Sequence, residues 1–314
     1  MGKVAWVFPG QGAQFVGMGK DLCDKDAGAK SVFEAADRAL GYKLSRVIFE
    51  GPEEELTLTK NAQPALLTVS VACAGVLREA GLKPGMVAGL SLGEYTALAV
   101  AGSLGFEDAV VLTHKRGIYM QEACPPGEGA MAAILGCSCA EVEVLCYEAR
   151  KLGEVAAANY NCPGQIVVSG HRKAVDEVAR RAREMGSRAI PLAVSAPFHC
   201  SLMKPAAERL KKDLDKVAIR PPLVPVYSNV HGETVRTPDA IRRALEDQMT
   251  HPVLWQADVE SMVRDGARAF VEVGAGKTLA GFGKRINPAL PFAQFGAPGD
   301  LEPVLALAKE ALLR

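Results

Sequence analysis

The sequence predicts an α/β fold: a large domain with a parallel-sheet core, interrupted by a small β-α-β-β-α-β domain. Three observations predict it. Met86-Val87-Ala88 reads as the end of a short apolar strand and Tyr95 to Ala101 as a helix, joined by the tight turn Gly89-Leu90-Ser91-Leu92-Gly93-Glu94. Ala269-Phe270-Val271-Glu272-Val273 is an apolar run of strand length, bounded by glycines, as a strand buried on both faces would be. Residues 127–196 alternate short strand and helix patterns around a central hairpin.

Composition narrows the function classes. The 314 residues carry 36 basic and 36 acidic side chains and are 49% hydrophobic, which describes an ordinary soluble globular protein, and the cysteine usage adds a reduced, cytoplasmic setting. No basic excess points to nucleic acid. The longest apolar run, Pro64 to Leu77, is interrupted by Thr68 and Ser70 and is too short to span a membrane. The eight cysteines are scattered without metal-ligand spacing, so no metal is expected and they read as small core residues.

The first strand, Lys3 to Phe8, runs into Pro9-Gly10-Gln11-Gly12-Ala13-Gln14. Phe15 stands where a dinucleotide fingerprint needs glycine or alanine, and Met18 where a P-loop needs lysine. What remains is a loop whose backbone can approach another group closely. Gly51 to Leu56 opens a short helix, and Asn61-Ala62-Gln63 leads into a core helix with Pro64 in its first turn, running to about Gly81.

The turn at 89–94 has the Gly-x-Ser-x-Gly pattern of a nucleophile elbow, in which the glycines relieve a crowded, strained turn and a helix N-terminus faces the serine. Phe106 to Glu122 follows as a helix whose apolar stripe, Ala109, Leu112 and Tyr119, contains Arg116. An arginine inside such a stripe is either ion-paired within the protein, snorkels outward, or waits for a substrate carboxylate.

The small domain takes strand 130–135, a helix opened by the capping box Ser138-Cys139-Ala140-Glu141, and strand 155–159. Then come the turn Asn161-Cys162-Pro163-Gly164, strand 165–169, helix 173–185 and strand 188–194, an order of the ferredoxin-like kind. The large domain resumes with Ser195-Ala196-Pro197-Phe198-His199-Cys200 and a helix from Leu202 to about Val217. Strand 225–230, helix 238–249 and a helix ending at Asp265 complete the approach to strand 269–273. The following Gly274-Ala275-Gly276-Lys277-Thr278 looks like a P-loop tail, but Val271 occupies the position of its first glycine. His114 and His171 read as surface residues, and His231 sits in a turn with Gly232.

Taken together, these stretches resemble the malonyl-CoA:acyl carrier protein transacylase family along essentially the whole chain. The motifs are Phe8-Pro9-Gly10-Gln11-Gly12, Gln63-Pro64-Ala65-Leu66, the serine elbow, Arg116, Pro197-Phe198-His199, Pro252-Val253-Leu254-Trp255 and Glu272 to Lys277. The resemblance implies a large α/β-hydrolase-like domain at 1–126 and 197–314 with a ferredoxin-like insertion at 127–196. It implies Ser91 as nucleophile, His199 as general base, and the backbone N–H groups of Gln11 and Leu92 as oxyanion hole. It further implies Arg116 as the clamp on the malonyl carboxylate, the backbone of Gln248 as the group orienting the histidine, and Leu90, Phe198 and Gln63 in the substrate pocket. Malonyl-CoA and acyl carrier protein are the implied partners. No cofactor is implied, because the coenzyme A thioester is itself a substrate.

Leu90 departs from the family, which usually has histidine before the serine; Phe198 resembles malonyl-selective members. An acidic carrier calls for a basic rim, for which Lys277, Lys284 and Arg285 are candidates. Two other readings compete. A serine esterase or thioesterase shares the elbow but leaves Arg116 and the insertion unexplained. A non-catalytic carrier-binding subunit has no use for Ser91, His199 and Arg116 together. Fatty-acid and polyketide recipients are both compatible with the sequence.

Overall fold

The structure is a computed structural model describing residues 2–125, 127–194 and 196–313. The boundary at 126 and Ser195 of the histidine loop lie outside the described residues.

Strand β1 (Lys3–Phe8) is followed by helices α1 (Lys20–Lys25), α2 (Ala27–Leu40), α3 (Leu44–Glu50), α4 (Glu53–Thr57) and α5 (Thr59–Glu79). Then come β2 (Met86–Gly89), α6 (Leu92–Val100) and α7 (Phe106–Glu122). The next stretch holds β3 (Gly129–Leu135), α8 (Cys139–Ala149), β4 (Val155–Cys162), β5 (Gln165–His171), α9 (Arg172–Glu184) and β6 (Arg188–Pro191). The chain closes with α10 (Lys204–Leu214), β7 (Val226–Ser228), β8 (Glu233–Val235), α11 (Pro238–Asp247), α12 (Trp255–Arg264), β9 (Ala267–Val273), α13 (Thr278–Ile286), β10 (Phe292–Phe295) and α14 (Leu301–Leu313).

The fold is α/β with a mostly parallel sheet. Its strand order is β10-β9-β1-β2-β7-β8, and only β8 runs antiparallel to its neighbour. A second sheet, β4-β5-β3-β6, is antiparallel throughout. Strands β1, β2 and β9 are buried along almost their whole length, as parallel strands covered on both faces must be. Helix α5 is buried continuously from Asn61 to Ser70, the core helix its all-round apolar pattern predicts.

Several boundaries move from the sequence expectation. Strand β4 runs on through Asn161 and Cys162, leaving Pro163-Gly164 as the turn, because Cys162 still pairs with Gln165 of β5 across an irregularity at Asn161. Strand β6 stops at Pro191, so Leu192 to Val194 leave the sheet and reach the cleft. Strand β7 covers only Val226 to Ser228, which frees Asn229 from the ladder. His114 is half-buried rather than superficial: its Nδ1 lies 2.8 Å from the Lys60 carbonyl and its ring tilts against Tyr42. Helices α1 to α3, α13 and α14 and strands β8 and β10 had no counterpart in the sequence reading.

Helix α13 already has a carboxylate at its N-terminus. The buried Glu272 carboxylate reaches back to the helix and accepts the Ala280 N–H at 2.8 Å. The protein's own anion occupies the N-terminus where a nucleotide phosphate would sit.

Candidate active site

Strands β1 and β2 end level with one another, Phe8 opposite Gly89, so the loops that leave them meet at the carboxyl edge of the sheet. This is where open α/β sheets build sites. The elbow is crowded to the limit. A Cβ on Gly89 would lie 1.9 Å from the Gly93 backbone, and one on Gly93 would lie 2.2 Å from the Phe8 carbonyl. Both positions are therefore closed to any side chain. Between them Ser91 sits at φ +54°, ψ −105°, on the threshold of α6.

Among the described residues, only one other non-glycine has positive φ, and that is His199 at +59°. Backbone strain in the chain thus gathers at two side chains that touch. Ser91 Oγ and His199 Nε2 are 2.8 Å apart. On its far side His199 Nδ1 lies 2.8 Å from the Gln248 carbonyl, which can only accept. Nδ1 therefore carries the proton, and the Nε2 lone pair faces the serine hydroxyl. Burial, reinforced by the Arg116 charge, lowers the imidazole to about 3 from its usual 6.5. It stands neutral and able to accept a proton.

Arg116 is 1% exposed. Its Nη1 donates to Gln63 Oε1 at 2.8 Å, and its Nη2 to Gln248 Oε1 at 2.9 Å and Ser91 Oγ at 3.1 Å. Its face lies over the Tyr95 ring, 5.4 Å from the centroid, and its Nε has no partner. No ion pair involves Arg116 among the described residues. The internal salt bridge that the sequence left open is absent, and every contact it makes is to a neutral group. Its hydrogen bonds leave this buried cation on neutral oxygens, with the Glu94 carboxylate acting on it through space, and a cation so placed beside Ser91 can bind an anion.

The cleft above these groups has a volume of about 260 Å³. Leu90, Gln63 and Phe198 line it, with Gln11 and Leu92 beside the serine; Gln248 is wholly buried behind. The Leu92 N–H belongs to the first turn of α6, which no intrahelical carbonyl reaches. The Gln11 N–H likewise has no hydrogen-bond partner among the described residues, while its side chain is tied to Thr59 Oγ1 at 3.2 Å. The opposite wall, Met131, Asn159, Asn161 and Val167, comes from β3, β4 and β5. Cys200, next to the histidine, is packed with its thiol on the Pro197 carbonyl.

The sequence reading missed a buried polar layer beneath the serine. Glu94, which closes the elbow motif, accepts from Gln248 Nε2 at 2.7 Å and from the Asn229 N–H at 3.2 Å. Burial raises its pKa to about 7. Asn229 joins Glu94 to the equally buried Asp258. A polar Ser-Asn pair at the carboxyl end of an apolar strand was the available signal.

The chain is similar to known proteins along most of its length. The acyl transferase domain matches residues 5–285. A Bacillus subtilis (strain 168) protein named malonyl CoA-acyl carrier protein transacylase is 47% identical over 312 residues, covering 99% of this chain and 98% of its own. The crystal structure of an acyl-carrier-protein-S-malonyltransferase from Bartonella henselae is similar with a TM-score of 0.95 at 42% identity, over 98% of this chain and 100% of that one. A malonyl-transacylase in complex with its type II PKS acyl-carrier protein is similar at TM-score 0.94 and 40% identity, over 98% and 99% of the two chains. With its elbow, its histidine and its unpaired arginine in one cleft, this chain belongs to the acyl transferase domain family.

Proposed function

We propose that this protein transfers the malonyl group of malonyl-CoA to the phosphopantetheine thiol of an acyl carrier protein, through a malonyl ester on Ser91. The observation that carries the reading is Arg116, a buried guanidinium without a carboxylate, 3.1 Å from Ser91 Oγ.

His199 Nε2 takes the Ser91 proton as Oγ attacks the thioester carbonyl. The N–H groups of Gln11 and Leu92 receive the developing oxyanion. The protonated imidazole, held by the Gln248 carbonyl, returns its proton to the departing coenzyme A thiolate. The carrier thiol then enters, gives its proton to His199, and the steps reverse. The guanidinium holds the malonyl carboxylate in both half-reactions, with Leu90, Phe198 and Gln63 shaping the pocket. Phe198 favours malonyl over methylmalonyl. No cofactor takes part, and the enzyme acts in the cytoplasm.

The arrangement 127–196 is read as an inserted ferredoxin-like domain, supported by the strand order β4-β5-β3-β6 with α8 and α9 as its helices. The large α/β-hydrolase-like domain is 1–126 and 197–314. The recipient carrier is read as that of fatty-acid synthesis, as the family resemblance implies. The likeness to a transacylase bound to a type II PKS carrier favours a polyketide carrier as the second reading.

Intact-protein mass spectrometry after brief mixing with malonyl-CoA tests the proposal. A malonyl increment is expected on the wild type, none on Ser91→Ala, and loss of the increment when a holo carrier is added. Presenting a carrier of each kind shows which one accepts. Free coenzyme A released without any acyl-enzyme or acyl-carrier would instead identify a hydrolase.

A further inference from the structure

The elbow backbone is held from below by one side chain that takes no part in the acyl chemistry. Asn229 follows β7 directly and is wholly buried. Its Oδ1 accepts the Ser91 N–H at 2.6 Å, and its Nδ2 donates to the Gly89 carbonyl at 2.8 Å. The second Nδ2 proton goes to Asp258 Oδ2 at 2.8 Å, and the second Oδ1 lone pair faces Gln248 Nε2 at 3.3 Å. Every hydrogen-bonding position of the amide is used.

The carbonyl of Gly89 and the N–H of Ser91 are the pair that a neighbouring strand would bond. Strand β7 meets β2 only at Val87–Val226 and cannot follow the chain into the turn. The Asn229 amide continues the ladder across that gap. Its orientation is fixed from outside. A flipped amide would set Nδ2 against the Ser91 N–H and Oδ1 against both the Gly89 carbonyl and the Asp258 carboxylate.

We propose that Asn229 is a positioning residue for Ser91, clamping the Gly89 carbonyl and the Ser91 N–H so that the serine keeps its positive-φ conformation and its aim at His199. The inference rests on Ser91 being the nucleophile of the proposed transfer. The clamp acts on the serine rather than on the acyl-CoA, so its loss reduces kcat and leaves KM alone. Aspartate cannot replace the asparagine, because it offers the Gly89 carbonyl and Asp258 an oxygen where they need donors.

The test compares wild type, Asn229→Asp and Asn229→Ala by steady-state transfer and by the rate at which phenylmethylsulfonyl fluoride modifies Ser91. Both variants are expected to lose about 100-fold in kcat and in sulfonylation rate, the scale of a misplacement near 1 Å, with KM for malonyl-CoA within about threefold of wild type. Sulfonylation at the wild-type rate in either folded variant, or a loss confined to KM, would overturn the proposal. Asn229→Asp keeps the side-chain volume and decides the matter if the alanine variant does not fold. Failure of both to fold would assign Asn229 to the core alone and overturn it too. Sulfonylation needs no malonyl group, so this readout decides the role of Asn229 even where the transacylase reading fails.

Discussion

Removing a charge from water costs several kcal/mol, and the cost persists only where something offsets it. At the residue scale this site contains three such charges or near-charges: Arg116, Glu94 and His199, all buried. Their protonation is linked to stability with opposite signs. Glu94 titrates at about 7 in the fold against 4.5 when exposed, because burial outweighs its hydrogen bonds from Asn229 and Gln248. Its contribution is complete below pH 4.5 and lost as pH rises to about 7. His199 is lowered from 6.5 to about 3, so its contribution is present above 6.5 and lost as pH falls toward 3. The two oppose one another between 4.5 and 6.5. In Glu94→Gln only the histidine term survives, and the thermal midpoint should climb with pH across that window more steeply than in wild type. Equal slopes in the two proteins would show that Glu94 is ionised throughout. The meeting of Ser91, His199 and Arg116 was legible in the sequence because each breaks a local rule: a serine between glycines, a histidine in a proline loop, a cation on an apolar stripe. Glu94 and Asp258 break none and Asn229 leaves only a faint mark at the end of its strand, since the three are brought together by separate elements.

At the scale of elements, the β2–α6 turn is decided by glycine. The Gly93 Cα lies so close to the Phe8 carbonyl that a methyl group has only backbone to displace. Gly93→Ala is expected to destabilise by more than about 2 kcal/mol. Gly75, inside α5 with open space around it, is the control; alanine there should stabilise by about 0.5–1 kcal/mol. Urea unfolding of both variants checks the pair, and a loss under about 1 kcal/mol at Gly93 would mean that the elbow can relax. Helices with plain signals were read closely, among them α7 and the capped α8, whose Ser138–Glu141 capping box is formed. The caps of α2, Asp26 and Gly41, were equally present. They mark a helix without tying it to the chemistry, and the reading passed over residues 20–50. Strand ends moved wherever pairing partners, rather than residue type, set the limit, as at Cys162 and Pro191.

At the scale of the whole molecule, the cleft exists because two sheets face one another across it. The antiparallel sheet is stitched to the segment that leads into α12 at Val253, whose N–H bonds the Ala158 carbonyl and whose carbonyl accepts from Tyr160. Arg285 adds a second tie by donating to Gln165 and to the Pro163 carbonyl. Its guanidinium is thereby held in place, while Lys277, Lys284 and Arg285 are all exposed cations of the expected rim. No helix among the described residues is long and apolar enough to cross a membrane. These ties link positions more than 90 residues apart, and no local pattern in the sequence announces them.

The central claim is that the Arg116 guanidinium serves the acyl group and not the serine, although it touches both Gln63 and Ser91 Oγ. Single-turnover acylation of Ser91 in wild type and Arg116→Ala, with malonyl-CoA and acetyl-CoA side by side, tests it most directly. The malonyl rate is expected to fall about 100-fold or more, the scale of losing a charge-assisted pair of hydrogen bonds, while the acetyl rate stays within about threefold. Equal losses with both thioesters would contradict the claim and make Arg116 a support for the nucleophile alone.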